Sequence, residues 1–167
     1  MLSLLGCQGE MSSSPEVGDF FKGTYDLVEW HQDENVYANP EISGRVSFVE
    51  NSIHVTMHKR FDPKNYFTYV GFGDFKVEGG RFALRYSNAL TLRGEEDHRY
   101  LGNVKESYGA GEYRWYDCVI TEKGLHMVSE SKDQVWNIYH DGTLEYIDKK
   151  DLSLNPIKRV WKKITSH

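Results

Sequence analysis

From residue 23 onward the chain is a succession of short runs in which apolar and polar residues alternate, broken by turn signals about every ten residues. A half-buried antiparallel sheet requires that pattern, because successive side chains of a strand point to opposite faces. The runs fall at 23–31, 44–50, 53–60, 66–78 and 81–92, then at 99–105, 112–120, 125–130, 134–140, 143–147 and 158–164. Between them stand Asn51-Ser52, Gly79-Gly80, Lys123-Gly124, Lys132-Asp133 and Asp141-Gly142, pairs that tolerate the positive φ of tight hairpins. Each strand is therefore predicted to pair antiparallel with the next. No helical period of useful length interrupts the series apart from a short turn predicted over 15–22, which excludes alternating βαβ folds and their nucleotide sites. The polar segment 148–156 reads as loop.

An open meander of this length leaves two edges exposed, and pairing its first strand with its last removes both. The expected fold is thus all-β, an antiparallel meander closed into a barrel of about eight to ten strands, wide enough for side chains or one small ligand. Composition agrees. The 167 residues suit one core, and 11 tyrosines, 8 phenylalanines and 4 tryptophans against 4 prolines favour pleated, half-buried surface. A net charge of −5 and a pI near 5.8 leave no overall basic field for a phosphate backbone, so nucleic acid is not an expected partner. No run approaches the ~18 consecutive apolar residues of a membrane-spanning helix.

Residues 1–18 stand apart from the barrel expected over 19–167. An apolar run at 1–7 is followed by a small, polar stretch at 8–15 with Ser12, Ser13 and Ser14 in a row, the composition of a flexible tether. Leu4-Leu5-Gly6-Cys7 resembles the lipobox of bacterial lipoproteins. That resemblance implies lipidation of Cys7, a membrane-surface partner reached through the lipid anchor, and, with Gln8 next, the periplasmic side of the outer membrane in the bacterial cell envelope. The other reading is an unstructured N-terminus with an incidental cysteine, and the two stay open side by side.

The ends of the domain carry a second resemblance. Phe20-Phe21-Lys22-Gly23-Thr24-Tyr25-Asp26-Leu27-Val28 resembles the first strand of lipocalins and bacterial lipocalin-like proteins, a Gly-x-Trp after a short helical turn, with Tyr25 where that calycin-type family usually has Trp. Lys158-Arg159-Val160-Trp161-Lys162-Lys163-Ile164 looks like the final strand of the same proteins. The resemblance implies a lipocalin-like barrel in which Arg159 packs over Tyr25 as a cation–π lid at one end, an interaction of about 0.5–2 kcal/mol.

Parity supplies the candidate interior. In 53–60, Ile53, Val55 and Met57 share one face and His54, Thr56 and His58 the other, so the apolar set should face inward and the histidines solvent. His54 and His58 lie about 13 Å apart along a strand, too far to share one ion. Nor do His31, His98, His126, His140 and His167 show ligand spacing, so no metal or other cofactor is expected. In 112–120 both faces are amphipathic: Tyr113, Trp115, Asp117 and Val119 on one, Arg114, Tyr116, Cys118 and Ile120 on the other. If the first set faces inward, Asp117 is a buried carboxylate beside aromatics that must be paired or protonated. Tyr86, Trp115, Asp117 and Trp136 then line a ligand cavity. If not, Asp117 sits in water and the aromatics are ordinary core. Cys118 lacks a partner histidine or an oxyanion motif and reads as a small buried hydrophobe. Glu95-Glu96-Asp97 reads as surface charge, and the glycine-rich Ser107-Tyr108-Gly109-Ala110-Gly111 as a lip at the barrel's open end.

Three functions follow from this reading. The leading one is non-enzymatic binding or transport of a small, largely apolar molecule in the barrel. The second is a barrel enzyme using Tyr113, Tyr116, Arg85, Arg114 and Asp117 as acid–base groups on a small aromatic or lipid-derived substrate. The third is a solid barrel that acts through its surface as an interaction module.

Overall fold

A computed structural model describes residues 16–60, 65–95, 104–108, 111–149 and 156–164. Cys7 and the lipobox therefore lie outside the described residues, as do the acidic Glu96-Asp97 and most of the run expected at 99–105. Among the described residues twelve strands form one antiparallel sheet, entered through a 3-10 turn at Val17–Phe20. The first part comprises β1 (Gly23–Gln32), β2 (Asn35–Tyr37), β3 (Ile42–Val49), β4 (Ser52–Arg60), β5 (Asn65–Glu78) and β6 (Arg81–Glu95). It continues with β7 (Val104–Tyr108), β8 (Arg114–Thr121), β9 (Gly124–Ser129), β10 (Gln134–Tyr139), β11 (Thr143–Asp148) and β12 (Ile157–Lys163). Ten of them run round in the order β1-β3-β4-β5-β6-β8-β9-β10-β11-β12, and β12 pairs back onto β1, which closes the barrel.

Local sequence explains most of this. The alternation in β4 comes out as expected, with Ile53, Val55 and Met57 buried and His54 and Thr56 exposed. Both glycines of the β5–β6 hairpin have positive φ, +59° and +75°, the pair that matches the right-handed twist of the flanking strands. At the β3–β4 turn the positive φ falls on Glu50, not on the Asn51-Ser52 pair. The three-residue β2 carries too little alternation to be seen in sequence. It pairs with the far end of β1, at Trp30–Tyr37 to Gln32–Asn35, after β1 has parted from β3 at Asp26. The wall divides a second time on the opposite side: β6 pairs with β8 through Phe82, Ala83 and Leu84, then with β7 from Asn88 onward.

One end of the barrel is plugged by the residue that leads into β1. Phe21 is buried, its ring stacked on Phe82 at 4.2 Å and set against Phe48 at 5.5 Å and Phe75 at 5.6 Å. Tyr25 adds an edge-on contact to Phe48 at 6.2 Å. One side chain thereby ties β3, β5 and β6 to the start of β1. Phe21→Ala should cost about 3–5 kcal/mol of unfolding free energy in a urea titration, as truncation of a buried aromatic does, whereas Lys22→Ala beside it should stay within about 0.5 kcal/mol.

Candidate functional site

Beyond the Phe21 plug the interior is hollow, with a cavity of about 360 Å³, near the lower end of the range of about 300–1,000 Å³ usual for small-molecule pockets. Its character changes along the barrel axis. Next to the plug the floor is apolar: Val46 on β3, Val55 and Met57 on β4, Leu84 on β6 and Trp161 on β12. Two residues further from the plug, where the strand period returns a side chain to the same face, the strands β6, β8, β10, β11 and β12 place more polar groups. Leu84 is followed by Tyr86, Tyr116 by Arg114, Trp136 by Gln134, Leu144 by Tyr146 and Trp161 by Arg159; Tyr146 pairs directly with Arg159, while across the neighbouring ladders Arg114 stands opposite Leu84 and Tyr146 opposite Trp136. The β3–β5 side contributes Phe67 and Tyr69. The cavity reaches the surface at Glu112 and Arg114, both exposed, just where β6 has left β8.

The phenols of the cavity are held in different ways. Tyr116 donates to Gln134 Oε1 at 2.6 Å and Tyr146 to Asp148 Oδ2 at 3.0 Å. Tyr69 and Tyr86 meet edge to face at 6.1 Å, and neither hydroxyl has a hydrogen-bond partner among the described residues. Burial pushes all four phenols above the ordinary tyrosine value, against a downward pull from Arg159 on Tyr69, Tyr86 and Tyr146 and from Arg114 on Tyr86 and Tyr116. They are therefore neutral hydrogen-bond donors at physiological pH. The indole N–H of Trp136 is buried with no acceptor in hydrogen-bond geometry among the described residues, although it lies near enough to Tyr116 Oη to favour negative charge there.

The candidate residues read from sequence divide between cavity and outer surface. Tyr86 and Trp136 stand on the cavity wall. Trp115 and Asp117 do not. Directly paired residues of neighbouring strands share a face, and Phe82, which faces the plug, pairs with Tyr116, so Arg114 and Tyr116 turn inward and Trp115 and Asp117 outward. Asp117 is 72% exposed and accepts from Arg81 Nε at 2.9 Å, with Glu130 on the same guanidinium at 2.7 Å. Trp115 packs on the outside beneath Lys76 at 4.9 Å and Arg81 at 5.2 Å. Tyr113 lies outside too, under Arg85 at 4.6 Å, and Arg85, which edges the cavity, also pairs with Asp74 at 3.3 Å. Cys118 is half-buried, and burial pushes its thiol up.

The lid expected from Arg159 on Tyr25 takes another form. The strand register sets Tyr25 opposite Lys163 and Trp30 opposite Arg159, and five residues of strand separate the two aromatics by roughly 16 Å. Arg159 accordingly stacks on Trp30 at 4.2 Å and on Tyr146 at 5.2 Å, while Lys163 lies 6.0 Å from the Tyr25 ring. Trp30 also receives Lys59 at 4.8 Å. This fully buried lysine sits over Tyr37 at 3.8 Å and donates to Gln32 Oε1 at 2.8 Å. Parity alone puts Lys59 in line with Met57, so the sequence did carry that signal.

A second overlooked signal is Tyr69-x-Gly71-x-Gly73 on the inward parity of β5. Both glycines are buried, and a Cβ on Gly71 would come within 2.6 Å of Tyr69 Oη and 2.8 Å of the ring. The absent side chain makes room for the Tyr69 ring to fold down along its own strand. No protein family model, no curated protein and no solved structure matches the chain. Fold and site together define a closed, antiparallel ten-strand β-barrel with an internal cavity that is apolar below and polar above.

Gly71→Ala should drive the Tyr69 ring into the cavity and weaken occupancy by an apolar fluorescent probe several-fold, read by titration. A spectrophotometric titration should show the four interior phenols ionising only as the barrel unfolds. Since the unfolded chain loses those protons from about pH 10 and the folded chain retains them, the phenols' contribution to stability should be constant below that pH and fall above it.

Proposed function

We propose that this protein is a lipocalin-like binding protein that holds a small, largely apolar molecule inside its barrel. The observation that carries the reading is the 360 Å³ cavity itself, floored by aliphatic and tryptophan side chains and opening to solvent at one side. A few polar groups set above an apolar floor are what orients a ligand whose affinity comes mainly from buried apolar area. Acid–base catalysis has less support, because the phenols of the cavity are held neutral and Asp117 and Tyr113 face outward. A solid interaction module would leave the hollow unexplained. The cell-envelope placement belongs to the same proposal through the lipobox-like Leu4-Leu5-Gly6-Cys7.

The test is a fluorescence titration with two naphthalene dyes of one skeleton, uncharged N-phenyl-1-naphthylamine and its sulfonated form, 1-anilinonaphthalene-8-sulfonate. One-to-one saturation by at least one dye, with energy transfer from Trp136 and Trp161 on the cavity wall, is the expected result. Val55→Phe, which fills the floor, should lower that affinity by about tenfold or more, the equivalent of ~1.4 kcal/mol. Absence of saturable binding by both dyes, or binding indifferent to Val55→Phe in a folded variant, would reject the reading. Native mass spectrometry of the protein from its host tests the remainder: a small-molecule adduct lost on denaturation, and acyl mass on Cys7.

A further inference from the structure

The inward face of β5 is bare beside the phenols of the cavity. Phe67, Tyr69, Gly71, Gly73 and Phe75 share that face, and the two buried glycines put no side chain between the Tyr69 and Phe75 rings. A Cβ at Gly73 would collide with the carbonyl oxygen of Arg85, so here the β6 backbone itself closes on β5. Tyr86 stands opposite Gly73, and directly after it the ladder slips: Phe72 pairs with Asn88, which leaves Ser87 as a bulge. Beyond the bulge Gly71 pairs with Ala89, so the inward parity of β6 changes and Tyr86 ends the run Phe82, Leu84, Tyr86. Tyr69 folds down over Gly71 while Tyr86 stands across from Gly73, so two phenols flank one bare stretch of wall, edge to face at 6.1 Å. Both line the cavity, and among the described residues neither hydroxyl has a hydrogen-bond partner. The other two phenols differ, since Tyr116 and Tyr146 donate to Gln134 and Asp148. Burial pushes Tyr69 and Tyr86 above the ordinary tyrosine value, so both keep the proton they would donate.

We infer that the cavity takes an apolar molecule that carries a carbonyl oxygen, a ketone or an ester, and that the Tyr69 and Tyr86 hydroxyls receive this oxygen while Val55, Leu84 and Trp161 hold the apolar body. The inference rests on the proposed reading of the cavity as a ligand site and adds the functional group that the ligand bears. A hydrocarbon occupant would bury two O–H donors without an acceptor, which costs the desolvation of each. A carbonyl oxygen has two lone pairs and no proton, so it takes donors and brings none of its own. An alcohol brings a third donor, and Gln134 Oε1 and Asp148 Oδ2 already accept from Tyr116 and Tyr146. The carbonyl lies against the Gly71–Gly73 stretch, where no side chain of β5 competes for the space.

The experiment is displacement of the bound naphthalene dye by 2-acetylnaphthalene and by 2-isopropylnaphthalene, two molecules of one shape that differ in the carbonyl oxygen. It is run on the full chain and on its Tyr69→Phe and Tyr86→Phe variants, which lose one hydroxyl each and keep the ring, with the dye affinity measured afresh in each. Either substitution should raise the ketone concentration needed for half displacement by about threefold to tenfold, the size of one neutral hydrogen bond, and leave the hydrocarbon within about twofold. The infrared carbonyl stretch of isotope-labelled ketone should fall on binding below its position in an alkane solvent, and return towards that position in the protein carrying both substitutions. Ketone and hydrocarbon weakened alike, or a ketone affinity and carbonyl band unmoved by both substitutions in variants whose circular dichroism shows the native fold, overturns the inference and leaves the cavity reading intact. So does a ketone that never displaces a bound dye. A dye that never binds would reject the cavity reading and the inference with it.

Discussion

Everything inside this molecule depends on the pairing of its first strand with its last. The β1–β12 ladder runs from Tyr25–Lys163 to His31–Lys158, and with it the two ends of the meander cover each other's edges. Closure by itself would give an empty tube. The Phe21 ring, stacked on Phe82 and flanked by Phe48 and Phe75, turns one end into solid core. Strand register and plug together decide which residue of each strand meets the hollow, and at what depth.

That depth is what makes the cavity amphipathic. A strand repeats its facing every second residue, so each strand that passes the plug contributes one floor residue and then one residue of the upper tier. On β6, β8, β10, β11 and β12 the second of these is Tyr86, Arg114, Gln134, Tyr146 and Arg159. On β3 and β4 the same step stays apolar or leads to a glycine. The two places where the wall divides add asymmetry. The parting of β1 from β3 is covered by β2 and by the Trp30, Tyr37 and Lys59 cluster, whereas the parting of β6 from β8 lies beside the point where the cavity reaches solvent. The hollow is thus closed on one flank and open on the other.

The electrostatics of the tier follow from burial more than from any single pair. Desolvation keeps four phenols protonated despite two guanidiniums among them, so these hydroxyls stay neutral at physiological pH. Arg159 serves twice, bracing Trp30 and Tyr146 by its flat face while lending its charge to the cavity. Such a residue holds the wall together as well as lining the hollow.

The sequence by itself determined the kind of fold. Alternation and turn chemistry are local, so the strands, their antiparallel order and the need for closure could be read without coordinates, as could the inward set of β4. The extra strand at the first parting was invisible, because three residues at Asn35–Tyr37 hold too little periodicity to register. The candidate site was legible in half: Tyr86 and Trp136 reach the cavity, whereas Trp115 and Asp117 turn outward. That failure has a simple cause. Both faces of β8 are amphipathic, and only the pairing of Tyr116 with Phe82, itself pinned by Phe21, chooses between them. The partner of Arg159 was likewise a question of register, since a ladder that sets Lys163 against Tyr25 must carry Arg159 to Trp30. Local chemistry makes strands, but which neighbour each residue meets is a long-range fact, and the function proposed for this barrel lies in those meetings.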